Sequence, residues 1–415
     1  MVKIAVMGHG VVGSGVVEVL HKNAASIAKK AGQELEVSRI LDLREFPELP
    51  YAGLFTKEFQ EILDDAEIQV VAEVMGGIHP AYDFVKQCLE VGKSVVTSNK
   101  ELVAARGAEL LATAAANNVN FLFEASVGGG IPIIRPLHQC LAANEIDEIA
   151  GILNGTTNFI LTKMIRESMS FEDALTIAQE LGYAEKDPTA DVEGHDSCRK
   201  ICILASLAFG SHVYPDNVHT EGITKISLED VRYAEDADCV IKLIGHAKRL
   251  SDDSFYLLVS PALLPKESQL AGIDDVFNGI LVKGDATGEV VFYGRGAGKL
   301  PTASAVVGDI IDCVKANGTI GSLHWTDSTE NNVADYLSQP TRLYVRCTGS
   351  ESGARALADI GSRMGTVTML SRKGQPENEF AFLTGEEEEG ALRQKLRSLE
   401  EKGVKVLSVI RMLDL

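Results

Sequence analysis

The chain has 415 residues with 59 acidic against 39 basic side chains, a formal net charge of −20, 45% hydrophobic residues and 24% charged ones. That length exceeds a single ordinary core, so roughly two to four domains of about 100–200 residues each are expected, and the composition is that of a folded globular protein. The negative charge excludes nucleic acid and anionic membrane surfaces as partners, because both demand clustered lysine and arginine, and it leaves small polar metabolites as candidates.

The opening "MVKIAVMGHG" goes directly into a strand, which argues against a signal peptide, and no apolar run approaches the ~18–20 residues that span a bilayer. Cysteines at 88, 140, 198, 202, 239, 313 and 347 are odd in number and show no CxxC pair. Neither a disulfide framework nor a zinc site is suggested, and a cytoplasmic location is expected.

Residues 2–7, "VKIAVM", predict a strand, followed by "GHGVVGSG" and one apolar-periodic helix, "VVEVLHKNAASIAKKAG". Gly8, Gly10 and Gly13 satisfy G-x-G-x-x-G in the strand–turn–helix setting that motif requires. Gly8 suits a tight turn, Gly10 lets a pyrophosphate approach the backbone, Gly13 allows close packing, and the helix N-terminus attracts the anion. A second strand, "EVSRILDL", ends at Asp42, where dinucleotide folds place an acid on the ribose 2′-hydroxyl. Arg44 can embrace a 2′-phosphate, so NADP is at least as plausible as strict NAD use. A plain ion pair between Asp42 and Arg44 is the alternative.

Strand "IQVVAEVMGG", helix "AYDFVKQCLEVG", strand "KSVVTSN", helix "ELVAARGAELLATAAANN" and strand "NFLFEASV" continue the alternation, which predicts a parallel, doubly wound sheet. Ligands of such sheets sit outside the carboxyl ends of the strands, where "VMGG" (74–77) and "TSNK" (97–100) fall. Lys100 is thereby placed at the nicotinamide end, with a solvated helix start as its bland alternative.

"EASVGGGIPIIRPL" (124–137) leaves the sheet through three glycines, a turn that can hold a monovalent cation or pivot; the residues alone favour the pivot. "NGTTN" (154–158) offers hydroxyls and backbone amides for a polar substrate or a simple helix cap, and Ser170 with Asp173 resembles a capping box. In "EKDPTADVEGHDSCRK" (185–200), proline denies Asp187 the helical region, so the next helix begins only near Gly194 or His195. Asp196 and Lys200 then share one face, with Lys200 the last charge before the apolar "ICILASLAF". An exposed i,i+4 pair would be worth only about 0.3–0.5 kcal/mol. A lysine at the mouth of a buried helix can instead exchange a proton with a substrate hydroxyl, while Glu185, Asp191 and Asp196 grip an ammonium group.

After a linker in "LSQPTRLY", the order strand "TRLYVRCT", helix "ARALADIGSRMG", strands "TVTMLSRK" and "EFAFLTG", helix "ALRQKLRSLEEKG" and strand "VKVLSVIRML" predicts a ferredoxin-like βαββαβ module. "EEEEG" (386–390) reads as a solvated helix start.

The segment Ala178 to Lys200 matches without a gap the long pattern of homoserine dehydrogenases, and "SNKELVAARG", "EASVGGGIPIIRPL", "GILNGTTNFIL" and "GRGAGKLPTASAVVGDI" resemble that family in order and spacing. The resemblance spans residues 1 to about 320 and implies interconversion of L-aspartate 4-semialdehyde and L-homoserine with NAD(P)H. It implies a Rossmann-type doubly wound dinucleotide-binding domain over 1–130, completed by about 300–335, and an α+β substrate-binding and dimerisation domain over 131–300. The family's proton-donating lysine falls on Lys200 and its second lysine on Lys100. Substrate contacts fall on Glu185, Asp191 and Asp196, with Gly155, Thr156 and Tyr183 lining the pocket. Cofactor contacts fall on His9, Gly10, Val11 and Val12, on Met75 and Gly76, and on Gly298. The family's monovalent cation, sodium or potassium, is implied on backbone oxygens of Glu124, Val127, Gly129 and Ile131, which revises the pivot.

The module at 341–415 resembles an ACT regulatory domain, which implies an amino-acid effector and a homodimer or homotetramer. The Asp-x-Pro-Gly-like loop expected after the first strand is replaced by "TGSESGAR" (348–355), and dimer contacts are the alternative role. Two competing readings remain: an aspartate-semialdehyde dehydrogenase, whose thiolate nucleophile only Cys198 could supply from the wrong helical phase, and a nucleotide sensor, against which the intact Lys100 and Lys200 speak.

Overall fold

The structure, a computed structural model, describes residues 1–251, 253–316, 323–328, 330–349 and 353–415. By contact density the chain forms two compact units, one of Met1–Asp147, Cys202–Asn217 and Lys283–Asn331, the other of Glu148–Ile201, Val218–Val282 and Asn332–Leu415.

The first unit holds a parallel six-stranded sheet of β1 (Val2–Met7), β2 (Leu35–Leu41), β3 (Phe55–Thr56), β4 (Ile68–Glu73), β5 (Ser94–Thr97) and β6 (Phe121–Leu122). Its spatial order is β3-β2-β1-β4-β5-β6, with the direction of winding reversing between β1 and β4. That is the doubly wound order of dinucleotide-binding folds, whose crevice opens at such a reversal. The helices are α1 (Val11–Lys22), α2 (Ala24–Ala31), α3 (Gln60–Leu63), α4 (Ala81–Glu90) and α5 (Lys100–Ala116). The single helix expected after the glycine loop is thus two. Asn23 stands between them outside the helical region, at φ −108° and ψ 16°, and its N–H closes α1 onto Val19 O. The expected strand "NFLFEASV" shortens to β6, because the chain turns into a 3₁₀ turn at Glu124–Ser126.

The core of this unit is built from alternate residues of β1 (Val2, Ile4, Val6) and the inner face of α1 (Val16, Val17, Leu20). A late helix returns to it and supplies Ala303, Val306, Val307 and Ile310. Gly15 permits its approach, since a Cβ there would lie 2.9 Å from Lys299 O and 3.0 Å from Ala303 Cβ.

The remaining strands are β7 (Ile146–Ile152), β8 (His219–Thr220), β9 (Cys239–Ser251), β10 (Ser254–Pro265), β11 (Phe277–Gly284), β12 (Gly288–Arg295), β13 (Pro340–Gly349), β14 (Val367–Leu370), β15 (Glu379–Thr384), β16 (Glu387–Glu388) and β17 (Val404–Met412). They form one mixed sheet in the order β12-β11-β7-β9-β10-β17-β13-β15-β14, with β8 beside β10 and β16 beside β13. Helices α6 (Gly155–Glu167), α7 (Phe171–Glu180), α8 (Thr189–Val192), α9 (His195–Phe209), α10 (Leu228–Asp236), α11 (Lys299–Ala316, the late helix above), α12 (Gly353–Met364) and α13 (Glu389–Glu400) complete the chain. Among the described residues no helix is long and apolar enough to cross a membrane.

From β13 onward the elements follow the expected βαββαβ order, and β17-β13-β15-β14 is an antiparallel set in the sequence 4-1-3-2 of a split βαβ motif. Its core contains Leu343, Val345, Ile360, Phe382, Leu392 and Leu396. The module is not a separate sheet. Strand β17 also pairs in parallel with β10, Ala262 opposite Arg411 and Leu263 opposite Met412. Of the "TGSESGAR" loop, residues 350–352 lie outside the described residues.

Within the acidic run 386–389, Glu386 and Glu388 are exposed as expected, but its last member is not. Glu389 does open α13, but it is buried against Arg411 and Arg393, while Glu387 pairs with Lys395. A charge this deep is tolerated because a guanidinium meets it with two hydrogen bonds.

Candidate active site

The glycine loop between β1 and α1 has the form its sequence predicts. Gly8 adopts φ +99°, a left-handed backbone that suits glycine, and a Cβ on Gly13 would fall 1.9 Å from Gly8 O. A Cβ on Gly10 would meet nothing within 4 Å, so the loop face there is open. Gly10 caps α1 without any side-chain hydrogen bond, which leaves the first helical amides, those of Val11, Val12 and Gly13, free of side-chain acceptors. An uncapped helix start beside an open loop fits a pyrophosphate.

Asp42, just past β2, accepts the His9 N–H at 2.7 Å and so ties the loop to the next strand. It also accepts Arg44 through Nε at 2.9 Å and an NH2 at 2.8 Å. The Arg44 contact holds the Asp42 carboxyl well below the usual carboxylate range, with burial opposing and the two backbone amides assisting. The ion pair considered from sequence is therefore formed, and Arg44 remains mostly exposed along a cleft of about 330 Å³ lined by Asp42, Arg44, Phe46, Phe55 and Lys57. His9 is packed edge-on against Phe46 and Phe55, and burial lowers its pKa.

At the end of β4, Glu73 is fully buried and accepts the Thr97 hydroxyl at 2.6 Å and the Met75 N–H at 2.8 Å. Burial raises its pKa, with Thr97 and Met75 opposing. Asn99 donates to Gly77 O at 2.6 Å and caps α5 by accepting the Leu102 N–H. These bonds lock "VMGG" to "TSNK", place Met75 and Gly76 (φ +84°) on one rim, and leave Lys100 half-buried at the first position of α5.

The turn after β6 is organised by Glu124. Its carboxylate accepts the N–H groups of Ile133, Ile134 and Arg135 at 2.6, 3.0 and 2.7 Å. Its own N–H donates to Asp309 Oδ2 at 2.8 Å, and Arg135 reaches Asp309 Oδ1 at 2.9 Å. Burial, reinforced by the Glu124 carboxylate, pushes the Asp309 carboxyl up to about 8, the Glu124 N–H and Arg135 opposing. The intervening glycines are sterically required: a Cβ on Gly128 would lie 2.3 Å from Ile131 O and one on Gly129 (φ +55°) 2.4 Å from Gly296 O. The turn thus curls tightly around Gly128 and Gly129. The Glu124 carboxylate is committed to amides. Gly298, at φ +128°, lies just before α11.

In the other unit, α9 begins at His195 as expected, although a one-turn helix, α8, fits between Pro188 and Gly194. Gly194, at φ +83°, separates the two. Lys200, 7% exposed, donates to Asp196 Oδ2 at 2.9 Å and to Leu153 O at 2.8 Å. Asn154 donates from its single Nδ2 to that same Asp196 Oδ2 at 2.9 Å and to Asp191 Oδ1 at 2.7 Å. Lys200, Asp196 and Asp191 are thereby joined, and the joint is a residue that sequence reasoning left unnamed; an asparagine just before a helix was its one signal. Glu73, a carboxylate inside an apolar strand, and Asp309, beside Glu124, are likewise unnamed in the sequence reading.

Thr156 donates its hydroxyl to Tyr183 O at 2.7 Å, which pins the turn carrying Tyr183, itself 43% exposed, to α6. A Cβ on Gly155 would meet Val276 O at 2.9 Å. Glu185 is exposed, and its backbone carbonyl accepts from Gln179; its side chain stands apart from the hydrogen bonds that join Lys200, Asp196, Asn154 and Asp191.

Residues 132–311 match the family profile described as homoserine dehydrogenase, and residues 8–124 that of the homoserine dehydrogenase NAD-binding domain. The homoserine dehydrogenase of Bacillus subtilis is 37% identical over 412 residues, 96% of this chain and 95% of that one. That of Pseudomonas aeruginosa is 43% identical over 343 residues, 82% and 77% of the two chains. Among solved structures, a homoserine dehydrogenase from Thiobacillus denitrificans superposes with a TM-score of 0.91 at 36% identity, covering 100% of this chain and 98% of that one. A hyperthermophilic archaeal homoserine dehydrogenase in complex with NADPH superposes with a TM-score of 0.67 at 28% identity, covering 78% and 99%. With a nucleotide-binding sheet of the right winding and these relatives over most of its length, the chain belongs to the homoserine dehydrogenase family and is an NAD(P)-dependent oxidoreductase of amino-acid biosynthesis.

Proposed function

We propose that the enzyme reduces L-aspartate 4-semialdehyde to L-homoserine, reversibly, with Lys200 as the proton donor. The observation that carries this reading is the buried ion pair of Lys200 with Asp196, held at the N-terminal end of α9. The nicotinamide cofactor supplies the hydride. As the aldehyde carbonyl becomes an alkoxide, the Lys200 ammonium stabilises the new charge and transfers a proton to it, leaving a neutral amine. Asp191, Asp196 and Glu185 would be the acids that meet a substrate ammonium group, and Gly155, Thr156 and Tyr183 would line its pocket.

The uncapped start of α1 with Gly8, Gly10 and Gly13 would hold the pyrophosphate, alongside His9, Val11 and Val12. Met75, Gly76, Lys100 and Gly298 would meet the nicotinamide half, and Asp42 and Arg44 the adenosine ribose. NADP is favoured by the mostly exposed Arg44 beside a cleft that also carries Lys57, while NAD use remains open to the Asp42 carboxylate. The carbonyls of Glu124, Val127, Gly129 and Ile131 would hold sodium or potassium. Functionally, 1–130 with 300–335 serves the cofactor, 131–300 the substrate and dimerisation, and 341–415 is an ACT-like module for an amino-acid effector or for contacts within a cytoplasmic homodimer or homotetramer.

The test follows NADPH absorbance on adding the semialdehyde, and NADP reduction on adding homoserine. Turnover in both directions is expected; a folded, cofactor-binding protein with no turnover in either overturns the reading.

A further inference from the structure

We propose that Asn154 is a positioning residue for proton transfer, one that fixes the Asp196 carboxylate against Lys200. The proposal rests on the reading of Lys200 as proton donor.

The Asn154 side chain performs two tasks with its two ends. Oδ1 accepts the Thr157 N–H at 2.8 Å and thereby caps α6. Because the helix needs an acceptor there, the amide cannot turn over, and its two N–H groups must point the other way. What they meet is a pair of carboxylates, Asp191 Oδ1 at 2.7 Å and Asp196 Oδ2 at 2.9 Å. Lys200 Nζ shares that Asp196 oxygen and also bonds Leu153 O, the carbonyl next to Asn154 in the chain. The junction of β7 and α6 therefore contacts each charged group of the network, and the cap sets the direction from which Asp196 faces Lys200. Without the donor, the two like-charged acids would lose the group that bridges them, and the Asp196–Lys200 pair would lose its fixed geometry.

The two tasks separate by mutation. Aspartate and serine cap as well as asparagine does, but aspartate presents only acceptors to the two acids and serine is too short to reach them. Asn154→Ser should fold and keep the wild-type KM for NADPH, melting lower only by the lost bonds to the two acids, whereas Asn154→Asp should melt lower still because it brings a third carboxylate up to Asp191 and Asp196. Their kcat for aldehyde reduction should fall about 10- to 100-fold, with an increased solvent deuterium isotope effect as proton delivery becomes slower. Asn154→Ala, which loses the cap as well, should melt lower than Asn154→Ser. If Asn154→Ser folds and retains kcat within about twofold of wild type with an unchanged isotope effect, Asn154 is a cap only and the proposal fails. Lys200→Ala is measured alongside: wild-type turnover in that variant would remove Lys200 as donor, a failure of the underlying reading whatever Asn154 does.

Discussion

Arg411 donates its Nε to one oxygen of Glu389 at 2.7 Å and an NH2 nitrogen to the other at 2.8 Å, both side chains being 2% exposed. The same NH2 nitrogen reaches Glu221 at 2.9 Å. Burying a charge this deeply is tolerable only with its partner present. Arg411→Ala should therefore cost about 3–5 kcal/mol, as the stranded carboxylate is left uncompensated, and Arg411→Lys should recover little because an ammonium lacks the planar fork. Denaturant unfolding of the two variants measures both effects; a wild-type midpoint for Arg411→Ala would contradict the structural account.

The Glu221 carboxyl gives a pH dependence of definite sign. Burial would raise it, but His219 at 2.7 Å and Arg411 outweigh burial and hold it at about 2. A carboxyl whose folded pKa lies below its unfolded value contributes stability that is present above the unfolded pKa, 4.5, and lost as pH falls toward the folded one. Melting temperature should decline between about pH 4.5 and 2, and Glu221→Gln should flatten the decline.

Lys200→Ala should lower turnover by about 10²- to 10⁴-fold, the usual contribution of a positioned acid. Cofactor affinity, measured by NADPH fluorescence, should hardly change, since the hydrogen bonds of Lys200 run to Asp196 and Leu153.

Arg44→Ala should weaken NADP about 10-fold or more while leaving NAD within about twofold, because only a 2′-phosphate can use the guanidinium. Equal losses for the two cofactors would mean that Arg44 acts solely by holding Asp42.

The glycine-rich turn makes a separate prediction. Gly129→Ala forces a side chain into a left-handed backbone at φ +55° and toward Gly296 O, so it should lose stability and activity together. In the unaltered enzyme, replacing sodium and potassium with a large organic cation at constant ionic strength should lower turnover reversibly.

Much of the nucleotide domain is legible in the sequence because its requirements are local. Gly8 and Gly13 lie five positions apart and are dictated by their own loop, where one would strike the other's carbonyl. The Asp196–Lys200 pair is equally readable, being one helical turn long. Asn154 was not, since its partners lie 37 and 42 residues away and nothing near it announces them. Glu73 meets Thr97 at a separation of 24 residues, and the acidic run at 386–389 conceals a member whose arginine lies 22 residues on. The βαββαβ order was visible in the hydrophobic pattern. That β17 would also pair with β10 was not, because strand periodicity reports which face is buried and not which neighbour is chosen.

That second pairing has a mechanical consequence. A module joined to its neighbour by a linker can swing, whereas one sharing a strand is clamped. Through Ala262 opposite Arg411 and Leu263 opposite Met412, with Leu413 N–H on Leu263 O at 3.0 Å, main-chain bonds run from the β13–β17 set into β10 and so toward β9 and β7, the strand that ends next to Leu153 and Asn154. Any signal arriving at the C-terminal set must travel as shear or twist of a continuous sheet, delivered to the strand end whose next carbonyl, Leu153 O, holds Lys200.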